Sequence, residues 1–205
     1  MLEQVELPND ESLYNERFYA LYREYLQEPT VRANHDHVFR MFEQFAPKDL
    51  RVMDLGYGLG EYSLHGHYTQ YAGIDLNTTG QVPNFVQADY HDPLFFSRIP
   101  FIPTAFTSLF SIECCHPAEE KYALYEKLFK SIPSLQVALV GGFFYEKSRH
   151  LETVQETGGI ISYQTVEDPS QYISDTFSEL RMHIQTPSKM FGDDVIEVWK
   201  ILNRH

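Results

Sequence analysis

Apolar residues fall at helical spacing over the first 46 positions. After Pro8-Asn9-Asp10, the aromatic residues Tyr14, Phe18, Tyr22 and Tyr25 follow one another at intervals of four, four and three, one face of a helix that Pro29 stops. Val38, Met41, Phe42 and Phe45 occupy i, i+3, i+4 and i+7 of a second helix, closing at Ala46-Pro47. Beyond Pro47 the period changes. Short apolar runs at Arg51 to Leu55, Tyr71 to Asp75, Phe85 to Ala88, Phe106 to Ser111 and Leu135 to Phe144 predict strands. Between the last two, Tyr122, Leu124, Tyr125, Leu128 and Phe129 stand among Glu and Lys in an amphipathic helix, Pro117 to Ser131. Strands alternating with helices predict a parallel sheet. Near the end, Leu180, Met182 and Ile184 alternate with Arg181, His183 and Gln185, and a Pro/Gly/Asp loop leads to an apolar run from Val195 to Leu202. These two runs pair most simply as an antiparallel hairpin at one edge.

Two further elements are expected in between. Gly158-Gly159 separates Leu151 to Thr157 from Ile160 to Val166, a hairpin inserted after the fifth strand. Asp168-Pro169 caps and opens a helix running to about Glu179. The chain of 205 residues then reads as one α/β domain with four parts. These are an N-terminal helical cap (1–46), a core (47–146), the inserted hairpin (147–167), and a C-terminal helix with the strand hairpin (168–205).

Composition narrows the function. No run approaches the roughly 18 consecutive apolar residues that cross a bilayer, and Met1 to Glu11 is polar and acidic rather than a signal peptide. A soluble, cytoplasmic protein is expected. Acids outnumber bases 29 to 16, and the formal net charge of −13 repels a phosphate backbone, which disfavours nucleic acid as partner. Cys114 and Cys115 are adjacent, a spacing that rarely meets disulfide geometry, and read as reduced packing residues. His35-Asp36-His37 and His65-Gly66-His67 resemble paired metal ligands but lack third and fourth ligands at a recognisable spacing, so no metal is expected.

The chemistry concentrates at Val52-Met53-Asp54-Leu55-Gly56-Tyr57-Gly58-Leu59-Gly60. An apolar strand ending in an acid runs into glycines at alternate positions, which turn the chain sharply and expose backbone N–H groups to a ligand. A dinucleotide fingerprint GxGxxG would place its third glycine at 61, where this chain has Glu61. Asp75 follows Gly56 by 19 residues at a strand end, where one carboxylate accepts both hydroxyls of a ribose. Asp89 can accept from the amine of adenine, and a backbone N–H near Tyr90 can donate to its ring. Taken singly, the glycine turn could be a mere tight connection, and Asp75 and Asp89 could be helix caps or solvated loop acids.

In combination and order these residues resemble the class I, Rossmann-like S-adenosylmethionine-dependent methyltransferases. Asp54-Leu55-Gly56-Tyr57-Gly58-Leu59-Gly60 is similar to the family's first motif, Gly73-Ile74-Asp75-Leu76 to its second, and Val86-Gln87-Ala88-Asp89-Tyr90 to its third. Phe106 to Glu113 is similar to its fourth strand, which ends beside the transferred methyl. The resemblance covers Val52 to Phe144 and the closing hairpin. It implies a seven-stranded, mostly parallel sheet flanked by helices with an antiparallel C-terminal edge hairpin. The implied cofactor is S-adenosyl-L-methionine, released as S-adenosyl-L-homocysteine (SAH), held by Asp54, Gly56, Tyr57, Gly58, Gly60, Asp75, Leu76, Asp89, Tyr90 and Ser111. Two departures stand out: only Leu76 to Asn84 joins the second and third strands, too few for a full crossover helix, and Gly66 shortens the helix after the glycines.

The implied activity is methyl transfer to a small-molecule acceptor. Protein or RNA methylation, and a catalytically silent binding partner, are the alternatives, and Glu61 disfavours a nicotinamide oxidoreductase. The Pro-Pro-aromatic signature of many base-modifying methyltransferases is missing after the fourth strand, as are GxSxG, HExxH and Walker loops. His116 or Glu113 is placed to act as base on a protonated acceptor; either could equally serve the start of the following helix. Tyr14, Tyr19 and Tyr22 could wall an acceptor site or simply belong to the core. The Gly158-Gly159 hairpin, if it leaves the sheet where substrate enters, would be a flap.

Overall fold

A computed structural model describes residues 16–76, 82–90, 92, 94–111, 118–144, 178–187 and 193–202, the side chains of 118–120 and 143–144 excepted. Two helices open it, α1 (Glu16–Leu26) and α2 (Pro29–Phe45). Pro29 does more than stop the first helix. It sits in the first turn of α2, where its missing N–H has no partner to lose and its fixed φ suits a helix start. The second helix therefore begins nine residues before Val38, ahead of its apolar repeat.

The apolar runs become β1 (Arg51–Leu55), β2 (Gln70–Asp75), β3 (Phe85–Gln87), β4 (Ala105–Leu109), β5 (Val137–Phe144), β6 (Ser178–Thr186) and β7 (Asp193–Ile201). They form one sheet in the order β3-β2-β1-β4-β5-β7-β6. β1 to β5 pair in parallel, and β7 runs antiparallel to both β5 and β6. The C-terminal hairpin thus packs through β7 and leaves β6 on the edge, where polar and half-buried residues alternate. A five-residue α3 (Glu61–His65) follows the glycines, the short helix that Gly66 predicts. The amphipathic α4 (Ala118–Ser131) precedes β5. No helix is described between β2 and β3, although 77–81 lie outside the described residues. So do both strands of the expected 151–166 hairpin and nearly all of the expected 168–179 helix. That helix cannot reach Glu179, because β6 already begins at Ser178 and pairs with Ile201.

Strand alternation sorts the core onto two faces. Val52, Tyr71, Ala105, Val137, Leu139, Ile196 and Val198 pack under α1 and α2 with Tyr25, Val31, Val38, Phe39 and Phe42. Met53, Leu55, Ala72, Ile74, Phe106, Ala138, Val140 and Trp199 pack with Leu124, Tyr125, Leu128 and Phe129 of α4. The same alternation turns Asp54, one residue past Met53, toward the α1/α2 face, where Tyr71 meets it.

Candidate functional site

The chain leaves β1 through three glycines in left-handed conformation, at φ 62°, 50° and 72° for Gly56, Gly58 and Gly60. Side-chain-bearing residues pay a steric penalty there. Position 56 adds a second reason: a Cβ would lie 1.9 Å from the Ser111 hydroxyl oxygen. A Cβ on Gly58 would be in ordinary van der Waals contact with the Gly56 carbonyl at 3.9 Å and the Tyr19 ring at 4.0 Å, so the left-handed φ rather than crowding calls for glycine there. The loop is tied down by its own amides. Gly56 N–H donates to the Ile74 carbonyl at 2.8 Å and Gly60 N–H to the Tyr57 carbonyl at 2.7 Å. Gly58 N–H donates to the Asp75 carboxylate at 3.1 Å, which joins the first two strand ends. Gly73 was not singled out as a site residue, yet a Cβ on it would come within 2.8 Å of the Tyr57 ring. A glycine inside a buried strand is the available signal for such a close approach.

Asp54 is 4 % exposed and accepts a hydrogen bond from the Tyr71 hydroxyl. Burial pushes its carboxyl up to about 7 despite that hydroxyl, which pulls the other way, and the Asp75 and Glu61 charges add to the rise. Asp75 is half-buried, and Leu76 beside it is 42 % exposed. Ala88 N–H donates to the Asp75 carbonyl at 3.1 Å, and the Gln87 side-chain amide to the Leu76 carbonyl at 3.0 Å, so the third strand's end is stitched to the second's. Asp89 lies exposed and Tyr90 half-buried just past that stitch.

A small cleft opens over the carboxyl ends of β1 and β4. Its walls include Asp54, Gly56 and Tyr57 from the first strand and its loop, Glu61 and Tyr62 from α3, Leu109 from β4 and Tyr22 from α1. The strand order reverses between β1 and β4, the switch point at which open α/β sheets bind ligands. Past Leu109 the chain makes an unusual turn: Phe110 has φ 58°, rare for a bulky side chain. That turn sets Ser111 against Gly56 and directs the Phe110 ring into the aromatic cluster of Tyr22, Tyr25 and His35.

Sequence reasoning passed over the most elaborate polar group beside this cleft. His35 of α2 is 1 % exposed and bridges two acids, with one ring nitrogen 2.6 Å from Glu61 Oε1 and the other 3.2 Å from Asp194 Oδ2. The Tyr25 hydroxyl donates to the other Asp194 oxygen. Burial alone would lower the imidazole pKa; the Glu61 charge and the Asp194 hydrogen bond outweigh it and raise it to about 10. His35 is therefore an imidazolium donating from both nitrogens. Its 26- and 159-residue separations from Glu61 and Asp194 carry no sequence pattern.

The expected site residues fare differently. Asp54, the three glycines, Tyr57, Asp75 and Ser111 converge on the ends of β1, β2 and β4. Leu76, Asp89 and Tyr90 occupy the adjoining ends of β2 and β3, beyond the lining of the cleft. Tyr22 lines the cleft, and the Tyr19 ring stands 4.0 Å from the position of a Cβ on Gly58. Both are also largely buried in the α1/α2 core. Tyr14, Glu113, Cys114, Cys115 and His116 lie outside the described residues. Of the paired histidines, His35 holds the two acids, His65 contacts Arg32 at 3.3 Å, and His67 pairs with Glu43 at 3.0 Å.

No protein-family model matches the sequence, and no curated protein matches it. Solved structures do resemble the fold. Magnesium protoporphyrin IX methyltransferase (ChlM) from Synechocystis with bound SAH superposes with a TM-score of 0.58 at 15 % identity, covering 93 % of this chain and 96 % of that one. The N-methyltransferase NodS from Bradyrhizobium japonicum, in complex with SAH, gives 0.54 at 10 % identity over 91 % and 99 %. The putative methyltransferase in complex with the Trm112 activator from Haloferax volcanii gives 0.57 at 13 % identity over 97 % and 99 %. The chain has the Rossmann-like fold of the class I S-adenosylmethionine-dependent methyltransferases.

Proposed function

We propose that this protein is an S-adenosylmethionine-dependent methyltransferase acting on a small-molecule acceptor. The observation that carries the reading is the junction at the switch point: three left-handed glycines, and the Gly58 amide held on the Asp75 carboxylate beside buried Asp54. The residues fit the cofactor. Asp75 accepts from the ribose hydroxyls, Asp89 and the Tyr90 backbone meet the base, and exposed Leu76 offers it an apolar surface. The glycine-loop backbone, with no side chains at 56, 58 and 60 in the way, borders the place of the amino-acid part, and Asp54 stands behind the loop. When bound, S-adenosylmethionine supplies a methyl already activated on a sulfonium.

What remains for the chain is to place an acceptor in line with that methyl and keep water away. Tyr22, on the cleft wall, and Tyr19, over the glycine loop, supply aromatic surface for the acceptor. Tyr14 precedes Tyr22 on the predicted apolar face. His116 or Glu113, which follow β4 in the chain, would take the proton of an oxygen or nitrogen acceptor. A small acceptor is favoured by the acidic balance of the chain, which opposes polyanions.

Thermal shift tests the cofactor half. SAH should raise the melting temperature as RT ln(1 + [L]/Kd) requires, and NADH should not. Asp75→Ala should remove most of the SAH response; an undiminished response would contradict the ribose assignment. Transfer of labelled methyl into a metabolite extract, compared with protein and RNA pools, then tests the acceptor class, and labelling confined to protein or RNA would replace the small-molecule reading.

A further inference from the structure

We infer that Glu61, clamped by His35, is the residue that captures the ammonium of the ligand's amino-acid part and selects for ligands that carry it. The inference rests on the cofactor reading above and assigns a role to a residue that the glycine loop's similarity leaves without one.

Glu61 opens α3 immediately after Gly60 and lines the cleft together with Asp54 and Gly56. Its two carboxylate oxygens have different fates. Oε1 takes the short contact from His35 at 2.6 Å. Oε2 is buried and has no hydrogen-bond partner among the described residues. A buried carboxylate oxygen left without a donor is costly, and such a cost persists where a ligand supplies the missing donor. Among the described residues, the lining of the cleft supplies no lysine or arginine to do so. The charged members among the described lining residues are Asp54 and Glu61, so a cation is the complementary guest.

His35 makes the arrangement directional. Its other nitrogen is anchored on Asp194 of β7, and Asp194 in turn is held by Tyr25 of α1. The imidazolium thereby fixes the Glu61 carboxylate through Oε1 and leaves the second oxygen without a donor. His35 acts as a positioning residue; Glu61 is the group that touches the ligand. An ammonium donates up to three hydrogen bonds to such a site, and charge-assisted bonds of this kind are about twice as strong as neutral ones. A nucleoside lacking the amino group would leave Oε2 as it stands in the free protein and lose that bond.

The test separates this assignment from the cofactor reading. Titration calorimetry on the full chain would use SAH and an analogue whose amino group is replaced by hydrogen, with wild type, Glu61→Gln and His35→Gln. Wild type should bind SAH at least tenfold more tightly than the deaminated analogue. Glu61→Gln should close most of that gap by weakening SAH while changing the analogue less than twofold. His35→Gln should narrow the gap too, whereas a purely structural loss would weaken both ligands equally. The wild-type comparison stands even if neither variant folds. Equal affinity of wild type for the two ligands, or an unchanged gap in folded Glu61→Gln, overturns the assignment while leaving the cofactor reading in place. Failure of wild type to bind either compound overturns both.

Discussion

At Gly56 two constraints fall on one residue, a left-handed backbone and a Ser111 hydroxyl where a Cβ would be. Gly56→Ala should therefore cost about 1–3 kcal/mol for the backbone alone, with a further penalty until Ser111 moves. Denaturant unfolding measures the sum, and combining the change with Ser111→Gly should recover the steric part and leave the backbone part. A Gly56→Ala protein as stable as wild type would refute this account of the turn. Asp54 makes a second prediction. Its carboxyl titrates near 7, so at neutral pH a fraction is protonated, and any cation entering the cleft favours the ionised form. SAH affinity should fall as pH drops through about 7, by up to about tenfold per unit below it, with proton release on binding at pH 7. Asp54→Asn should flatten the profile. A profile that is already flat in wild type would mean that the ligand's positive charge does not reach this carboxylate.

Among elements, the clamp of α2 onto α3 and β7 sets a pH window of its own. His35 has its pKa raised to about 10 by folding, so the stability it contributes is fully present below its ordinary value near 6.5 and is lost as pH rises through about 10. His35→Gln should destabilise the protein by about 3–5 kcal/mol near neutral pH, because it leaves buried Asp194 and half-buried Glu61 without their cation. The difference in melting temperature between wild type and variant should shrink toward pH 10, and a difference constant over that range would exclude an imidazolium. This clamp also marks where sequence reading ends. The glycine loop and Asp75 were legible because their chemistry is written in adjacent residues or at a fixed distance along one βαβ unit. The strands and α4 were legible because apolar period and burial coincide. Glu61 registered as the absence of a glycine, and His35 as half of a histidine pair. Their meeting with Asp194 depends on how α2 lies across the sheet, which no local period encodes. The start of α2 escaped for a related reason: Pro29 can end one helix or begin the next, and here it begins one.

For the whole molecule, the two-faced core and the strand order predict how stability is distributed. β1, β4, β5 and β7 lie inside the sheet with both faces covered, by α1 and α2 on one side and by α4 on the other. β3 has three residues and β6 alternates outward, and each forms an edge. Amide exchange near neutral pH should therefore be slowest at Val52–Asp54, Phe106–Ser108, Leu139–Val140 and Val195–Val198, approaching the global unfolding free energy, and faster by orders of magnitude along β3 and the outward amides of β6. Ligand binding should add protection in a particular pattern. The amides of Gly56 to Gly60 respond directly, but the clamp joins α3 to α2, α1 and the first residues of β7, so protection should extend to His35 and Asp194 although neither touches the ligand. In His35→Gln that remote protection should vanish while protection of the loop survives. Slowing restricted to the loop in wild type would show that the cap and the cleft open independently, and that the buried acids serve α2 alone.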